Sequence, residues 1–216
     1  MKRYFIILVL LVLAVTTAAV EKKTIEFSAD RMSGTSGKKN GTTGLEGNAK
    51  VTIETLEITG DRIDLSGTEF RYVEASGNVK GIDAEKGFSF SADFLSYDRD
   101  TEVASFRGNA KLLDTKNEVE TSAGMIIYNQ QTEIAFLQID VNLKRREIVC
   151  TSSFATYRRS LSLLDLSGNP LVIRDGDEFR ADRISVNLET EHITLDGSVS
   201  GSIKDTKKVE KKEEPQ

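Results

Sequence analysis

The side chains that most often carry out chemistry in proteins are scarce in this sequence. It contains one cysteine, Cys150, and one histidine, His192. A disulfide framework needs at least a pair of cysteines, and a Cys/His zinc site or a catalytic triad needs partners that one residue of each type does not supply. The sequence therefore argues against an enzyme, and it predicts neither a metal nor an organic cofactor.

Two clusters of basic residues are the clearest candidates for binding an anion. Lys144-Arg145-Arg146 and Arg158-Arg159 flank the segment from Ile148 to Phe154. If that segment is a strand that ends in a hairpin, the clusters approach each other and hold a phosphate, to which arginine donates paired hydrogen bonds. The alternative is a pair of solvated turns, whose exposed charges contribute little.

A recurring aspartate is a third candidate, present as Asp30, Asp61, Asp93 and Asp182. Aspartates that repeat along a β-roll can bind calcium, but such repeats are far shorter and richer in glycine. We therefore interpret these residues as solvating turns or sheet edges.

The charge balance argues against a nucleic-acid-binding protein. The 216 residues include 29 Lys and Arg against 34 Asp and Glu, a net charge of −5, whereas binding to phosphate backbones needs an excess of basic residues. The length corresponds to one large domain or two small ones. Hydrophobic residues make up 38% and tryptophan is absent, so any core must be thin.

The N-terminus is typical of an exported protein. Lys2 and Arg3 precede an apolar run, and Thr17 and Ala19 fit the small-x-small cleavage rule. We therefore predict a signal peptide over residues 1–19, cleaved after Ala19. The alternative is a retained membrane anchor, since Tyr4 to Val20 is 17 residues long and lies at the lower limit for crossing a bilayer.

The C-terminus is strongly charged. Residues 204–216 carry nine charges in 13 positions, so they cannot bury enough apolar surface to offset their ordering entropy. We predict a disordered tail over 204–216 and one folded domain over 20–203.

Two short phrases repeat with a period of about 30 residues. The first, apolar-x-Gly-Asn, places glycines at 47, 77, 108, 168 and 197, with separations of 30, 31, 60 and 29 residues. One unit lacks its glycine and reads Leu137-Gln138-Ile139-Asp140-Val141. The second phrase, typified by Ser28-Ala29-Asp30-Arg31-Met32, runs in step with the first. A shared period indicates six units that tile the domain.

The repeat units are predicted to be β-strands. Ile193, Leu195, Gly197 and Val199 alternate with polar residues, which is the pattern of a half-buried strand. Each unit has room for two strands of about ten residues, so six units stack as twelve rungs over roughly 55 Å. The glycine in mid-strand serves either a bend between two faces or an interior space for a guest molecule.

These repeats behind an export signal resemble the OstA-like, or LptA, family of lipopolysaccharide-transport proteins over residues 25–203. The resemblance implies an all-β fold, an open, twisted β-jellyroll with an apolar interior groove. It also implies a periplasmic conduit that binds lipopolysaccharide or a similar glycolipid and carries it from the inner to the outer membrane. Expected partners are LptC-like and LptD-like jellyroll domains and further copies of the chain, joined head to tail.

Two alternatives to this function stay open. A retained anchor predicts an LptC-like component at the inner membrane, facing the periplasm. A structural β-repeat protein of the cell surface would also be exported and repetitive.

A lipid with several acyl chains needs a continuous apolar groove, which a stack of in-register repeats supplies. The alternative is a dry core between two sheets. Eleven residues are predicted to line the groove and bind lipid: Phe90, Phe94, Phe106, Ile127, Phe136, Ile139, Phe154, Ile173, Phe179, Ile184 and Leu195.

Overall fold

The computed structural model describes residues 24–35 and 41–204, which form one antiparallel sheet of 16 strands. The predicted signal peptide lies outside the described residues, and so does the predicted tail apart from Lys204. The elements are β1 (Ile25–Ser28), β2 (Arg31–Gly34), β3 (Thr43–Ile53), β4 (Leu56–Ser66), β5 (Tyr72–Asp83), β6 (Phe88–Asp98), β7 (Val103–Asp114), β8 (Val119–Asn129), β9 (Ile134–Arg145), β10 (Ile148–Arg158), β11 (Leu163–Ser167), β12 (Leu171–Arg174), β13 (Asp177–Arg180), β14 (Arg183–Asn187), β15 (Ile193–Asp196) and β16 (Ser200–Ser202), with short 3₁₀ turns at Thr68–Phe70 and Arg159–Leu161.

The sixteen strands are the twelve predicted rungs. Strands β3 to β10 are eight continuous rungs, each paired with the next along the chain. The remaining eight strands are halves of four rungs, because β1 and β2 both pair with β3, and β11 and β12 both pair with β10. The sheet does not close on itself. The prediction of an open, all-β jellyroll is therefore confirmed.

Each rung turns a corner at its centre, as β6 and β7 illustrate. Their register shifts where Gly108 and Asn109 of β7 lie opposite Asp93 of β6, which is a β-bulge. Gly108 has φ +72°, and a Cβ atom there would lie 2.3 Å from Oδ2 of Asp93, so glycine is required where an aspartate lies opposite the corner. The Asn109 side chain donates a hydrogen bond of 3.0 Å to the same carboxylate.

The recurring aspartates belong to these corners. Asn48 donates to Asp30, Asn78 donates to Asp61, and Ser198 donates to Asp182. All four aspartates are exposed, as we expected, but they lie at the corners rather than in the turns between rungs, and each accepts a hydrogen bond from the bulge of a neighbouring rung. The structure also decides between the two roles of the glycine, whose missing side chain permits a bend and makes room for the aspartate.

The unit without a glycine keeps the same corner. Ile139 takes φ +70° and Asp140 takes φ +52°, and Gly124 occupies the position that aspartate has elsewhere. A Cβ atom on Gly124 would lie 2.9 Å from Cβ of Ile139. The positions of the large and the small residue are therefore exchanged at this corner.

The corners fold the sheet along its length, and the core lies between the two halves. A straight strand of eleven residues extends about 36 Å, yet residues at opposite ends of the rungs are in contact, as described below. Fully buried side chains of the core come from rungs along the whole stack, including Leu45, Ile58, Ile63, Leu95, Phe106, Ile126, Leu143 and Leu164. Within the described ranges, no helix is long and apolar enough to cross a membrane.

Candidate functional site

Two rows of turns face each other across a long opening, which we call the mouth. The first row follows β3, β5, β7, β9 and β12, and the second row follows β4, β6, β8, β10 and β14. The corners close the opposite side of the folded sheet. The mouth is therefore the side on which the interior can be reached.

A cavity of about 250 Å³ opens at the mouth between β4 and β8. Its floor is apolar and includes Leu56, Ile58, Phe88, Phe90, Leu95 and Phe106. The rings of Phe90 and Phe106 lie 4.6 Å apart, and Phe88 stacks on Tyr128 at 5.1 Å. Gly81 makes room for this cluster, because a Cβ atom there would lie 2.1 Å from Cζ of Phe90. Such a floor is suited to hydrocarbon chains and not to hydrogen-bonding groups.

The rim of the cavity is charged and balanced. Three acidic and three basic side chains contribute to it: Asp83, Glu102, Glu133, Lys86, Lys116 and Arg159. An apolar floor beneath a charged rim is suited to an amphiphile whose chain enters and whose head stays at the water boundary.

Arg159 joins the two rows of turns across the mouth. From the second row, its Nε and Nη2 donate to the two carboxylate oxygens of Asp114, at 2.6 and 3.0 Å. Nη2 also donates to the carbonyl oxygen of Lys86 at 3.1 Å, and Nη1 donates to Glu133 at 2.9 Å. The Arg159 and Asp114 side chains are only 13% and 5% exposed. Burial alone would raise the pKa of Asp114, but the hydrogen bonds from Arg159 and Asn117 outweigh it and lower that pKa.

Two further arginines cross the mouth from the first row. Arg145 donates to the carbonyl oxygens of Asn117 and Leu188, and Arg174 donates to that of Glu191 at 2.9 Å. Arg145 and Arg159 also line a cleft of about 430 Å³, together with Lys116, Glu133 and Glu189. This cleft adjoins the apolar cavity, since Lys116, Glu133 and Arg159 line both.

The two predicted basic clusters therefore meet through one arginine each. The other members have local partners instead, because Arg146 pairs with Glu118 of the same row at 2.7 Å and Arg158 pairs with Asp165. Neither the predicted phosphate site nor the alternative of two solvated turns describes this arrangement in full. Arg145 and Arg159 are not simply solvated, because both already donate hydrogen bonds to oxygen atoms of the protein.

Five of the eleven predicted lining residues point into the fold. Phe90, Phe106 and Ile184 are buried in the core, and the first two line the cavity. Phe179 and Leu195 pack against the core while partly exposed.

The other six lie on the outer face. Phe136, Ile139 and Phe154 are 48%, 59% and 52% exposed. Phe94 lies beneath the guanidinium group of Arg107, 4.4 Å from its ring centroid, and Ile127 and Ile173 are half-buried beside the inward Ile126 and Val172. The inward placement that we expected for these six residues is therefore wrong.

The corner explains the error. In β6 the buried residues are Phe90, Ala92, Leu95 and Tyr97, so the alternation slips by one residue at the corner. The same slip turns Ile127 of β8 and Phe154 of β10 outward. In β9 the inward neighbours of Phe136 are the smaller Ala135 and Leu137, so residue size was a poor guide to orientation.

A row of tyrosines at the mouth was not predicted. Tyr97, Tyr128 and Tyr157 are separated by 31 and 29 residues, which is the repeat period and would have revealed them. Tyr97 and Tyr128 line the cavity, and burial raises the pKa of each to about 12. Their hydroxyl groups therefore stay protonated and can donate to a polar head group.

Cys150 is fully buried in the core, where it packs as a small hydrophobic residue. Burial raises the pKa of its thiol to about 12. His192 lies in the turn between β14 and β15, where its carbonyl oxygen accepts a hydrogen bond from the Asn187 amide.

Comparison with known proteins agrees with this geometry. A sequence profile described as "OstA-like protein" matches residues 39–153, more than half of the chain. The chain therefore belongs to the OstA-like family, as its repeats predicted. No curated protein matches it by sequence.

A solved structure shares the fold. It is that of LptH, described as the LptA homologous periplasmic component of the conserved lipopolysaccharide transport device from Pseudomonas aeruginosa. The TM-score is 0.51 at 12% identity, and the match covers 56% of this chain and 96% of LptH. At that identity the likeness concerns the fold alone.

Proposed function

We propose that this protein is a periplasmic lipid-binding conduit, which carries lipopolysaccharide or a similar glycolipid from the inner to the outer membrane. The observation that supports this most directly is the apolar cavity beneath the mouth, in a chain of the OstA-like family. Transfer along such a groove requires no bond to be made or broken, and no residue is assigned a catalytic role.

Site-specific photo-crosslinking tests the conduit. Phe106 is 1% exposed and lines the cavity, whereas its neighbour Arg107 lies on the outer face against Phe94. A photo-reactive residue at position 106 should capture lipid in the cell envelope, and one at position 107 should not. Equal capture at both positions, measured by mass spectrometry, would refute an interior route.

The ends of the stack support association with other jellyroll domains. The first rung exposes Phe27 and Met32, and the last rung exposes Val199 and Ile203, of which Ile203 is 77% exposed. An end strand with an open edge can pair with a strand of another chain. LptC-like and LptD-like domains, or further copies of this protein, would lengthen the groove rather than close it.

Sedimentation across a range of concentrations tests this association. Ile203→Glu places a charge at the end of the stack and should weaken self-association or binding to a jellyroll partner. Ile82→Glu is the matched control, because Ile82 is 50% exposed on the outer face in mid-stack. If both variants associate as the unsubstituted protein does, the ends are not the contact surface.

The cellular location rests on residues 1–19, which lie outside the described part of the chain. Mass analysis of protein from the envelope should find Val20 at the N-terminus. Retention of Met1 would instead favour the LptC-like role at the inner membrane.

A further inference from the structure

The cavity is small for the ligand class proposed above. Its volume is about 250 Å³, below the roughly 300–1,000 Å³ of pockets that enclose drug-sized molecules. A lipid with several acyl chains must therefore separate the two rows of turns when it enters. The contacts that cross the mouth beside the cavity decide how this happens.

Arg159 makes the most extensive of these contacts. It uses three nitrogen atoms on four oxygen acceptors, and three of those oxygens belong to the opposite row or its strand, on Asp114 and Lys86. Charge-assisted hydrogen bonds with two parallel donors are among the strongest in proteins. Because this pair is largely buried, water and salt screen it little.

The basic cleft beside Arg159 is suited to a phosphate group. It brings together Lys116, Arg145 and Arg159, against the two acidic residues Glu133 and Glu189. A phosphorylated head in this cleft is placed directly above the cavity that would take its acyl chain, since the cleft and the cavity share Lys116 and Arg159.

Asp114 keeps other hydrogen-bond donors when Arg159 leaves. Its carboxylate also accepts hydrogen bonds from the backbone amides of Lys116 and Asn117, at 3.1 and 3.2 Å, and from the Asn117 side chain at 2.7 Å. A buried carboxylate that keeps three donors is not left unsatisfied when one partner departs. Opening therefore costs less than breaking an isolated buried ion pair.

We propose that Arg159 is a latch that holds the mouth closed, and that the phosphate of an entering lipid releases it. The phosphate binds in the cleft and takes the guanidinium group of Arg159 from Asp114, so that the rows separate and the acyl chains enter. This inference rests on the proposed lipid-binding function for its ligand, but the latch itself is a property of the empty protein.

Spin labels across the mouth test the latch. Ala84→Cys in the first row and Gln131→Cys in the second place labels on exposed positions outside the cleft and the cavity, while the native Cys150 is fully buried. The label-to-label distance is measured by pulsed electron resonance. Arg159→Gln should lengthen or broaden it without any lipid, Arg159→Lys should do so to a lesser extent, and Arg146→Gln should not. Arg146 is the matched control because it pairs with Glu118 within one row.

Two amphiphiles with the same chain test the release. In the labelled protein that keeps Arg159, dodecyl phosphate below its critical micelle concentration should lengthen the label-to-label distance. Dodecyl maltoside should leave that distance unchanged. In Arg159→Gln the loading rate of uncharged N-phenylnaphthylamine should rise about tenfold, which corresponds to about 1.4 kcal/mol. Circular dichroism verifies that each variant is folded.

Each outcome separates the two proposals. An unchanged distance in folded Arg159→Gln and Arg159→Lys overturns the latch. If both amphiphiles lengthen the label-to-label distance equally, the proposal that phosphate releases the latch is overturned. If Arg159→Gln opens the mouth but none of the three probes binds to any variant, the latch is upheld and the lipid-binding function fails.

Discussion

The corner between rungs gives the most quantitative prediction, through Gly108→Ala. The new Cβ atom would lie 2.3 Å from Oδ2 of Asp93 and 2.9 Å from its Cβ and Cγ atoms. Because Asp93 is exposed, its carboxylate can rotate away, at the loss of the hydrogen bond from Asn109, but its Cβ atom can move only if the backbone shifts. That bond contributes about 1 kcal/mol, and φ of +72° costs a residue with a Cβ atom about 1–2 kcal/mol. We expect a loss of at least about 2–3 kcal/mol in the free energy of unfolding.

Urea unfolding followed by circular dichroism measures this loss, since the chain has no tryptophan. Gly60→Ala is the matched control. Gly60 lies outside the left-handed region, and a Cβ atom there would be 3.4 Å or more from its neighbours. Four equivalent positions carry alanine, namely Ala29, Ala92, Ala123 and Ala181. Gly60→Ala should therefore change stability by no more than about 0.5 kcal/mol.

A second substitution tests the cause. Asp93→Gly copies the exchange that Gly124 and Ile139 display at their own corner. In the Asp93→Gly background, Gly108→Ala should lower the free energy of unfolding by only the roughly 1–2 kcal/mol that the positive φ angle costs. The reasoning is refuted if Gly108→Ala costs no more than Gly60→Ala, or if Asp93→Gly leaves its cost unchanged.

Three further predictions concern single residues. Ile139→Gly should raise the free energy of unfolding by about 1 kcal/mol in urea, because it removes a β-branched side chain from φ +70°; a loss of stability would show that packing on Gly124 matters more. Since the folded pKa of Asp114 is lowered, its stabilisation is full above the unfolded pKa of about 3.9 and is lost as pH falls through the lower folded value; urea unfolding of Arg159→Gln and the unsubstituted protein should therefore converge in acid, and parallel curves would contradict this. Cys150 should react with a thiol reagent at pH 8 only after unfolding, because it is buried and its pKa is about 12; rapid labelling of the folded protein would contradict its placement.

Much of the architecture was predictable because short local sequence motifs mark each repeat. The spacing of Gly77, Gly108 and their counterparts gave the period, and alternation gave strands, so the number of rungs followed. The family resemblance rested on the same phrases. A stack of rungs has mostly neighbour contacts, and for that reason local patterns carry so much of its fold.

The groove lining was less predictable because its parity depends on the corner. Phe94 belongs to an unbroken alternation with Phe90 and Ala92 in the sequence, yet the strand turns at Asp93 and Phe94 faces outward. A slip of one residue exchanges the two faces of a strand, and its position depends on the bulge of the neighbouring rung. The pattern of one strand does not contain that information.

The sequence by itself determined the repeat, the strands and the family, because each depends on residues that are close together in the chain. The tertiary structure alone decided that the glycines form corners, which apolar residues face inward and which charged groups meet across the mouth. Arg159 contacts Asp114 and Lys86, which precede it by 45 and 73 positions. Such pairs form only when the whole sheet folds on itself along its corners, and the distance between their positions in the chain gives no sign of them.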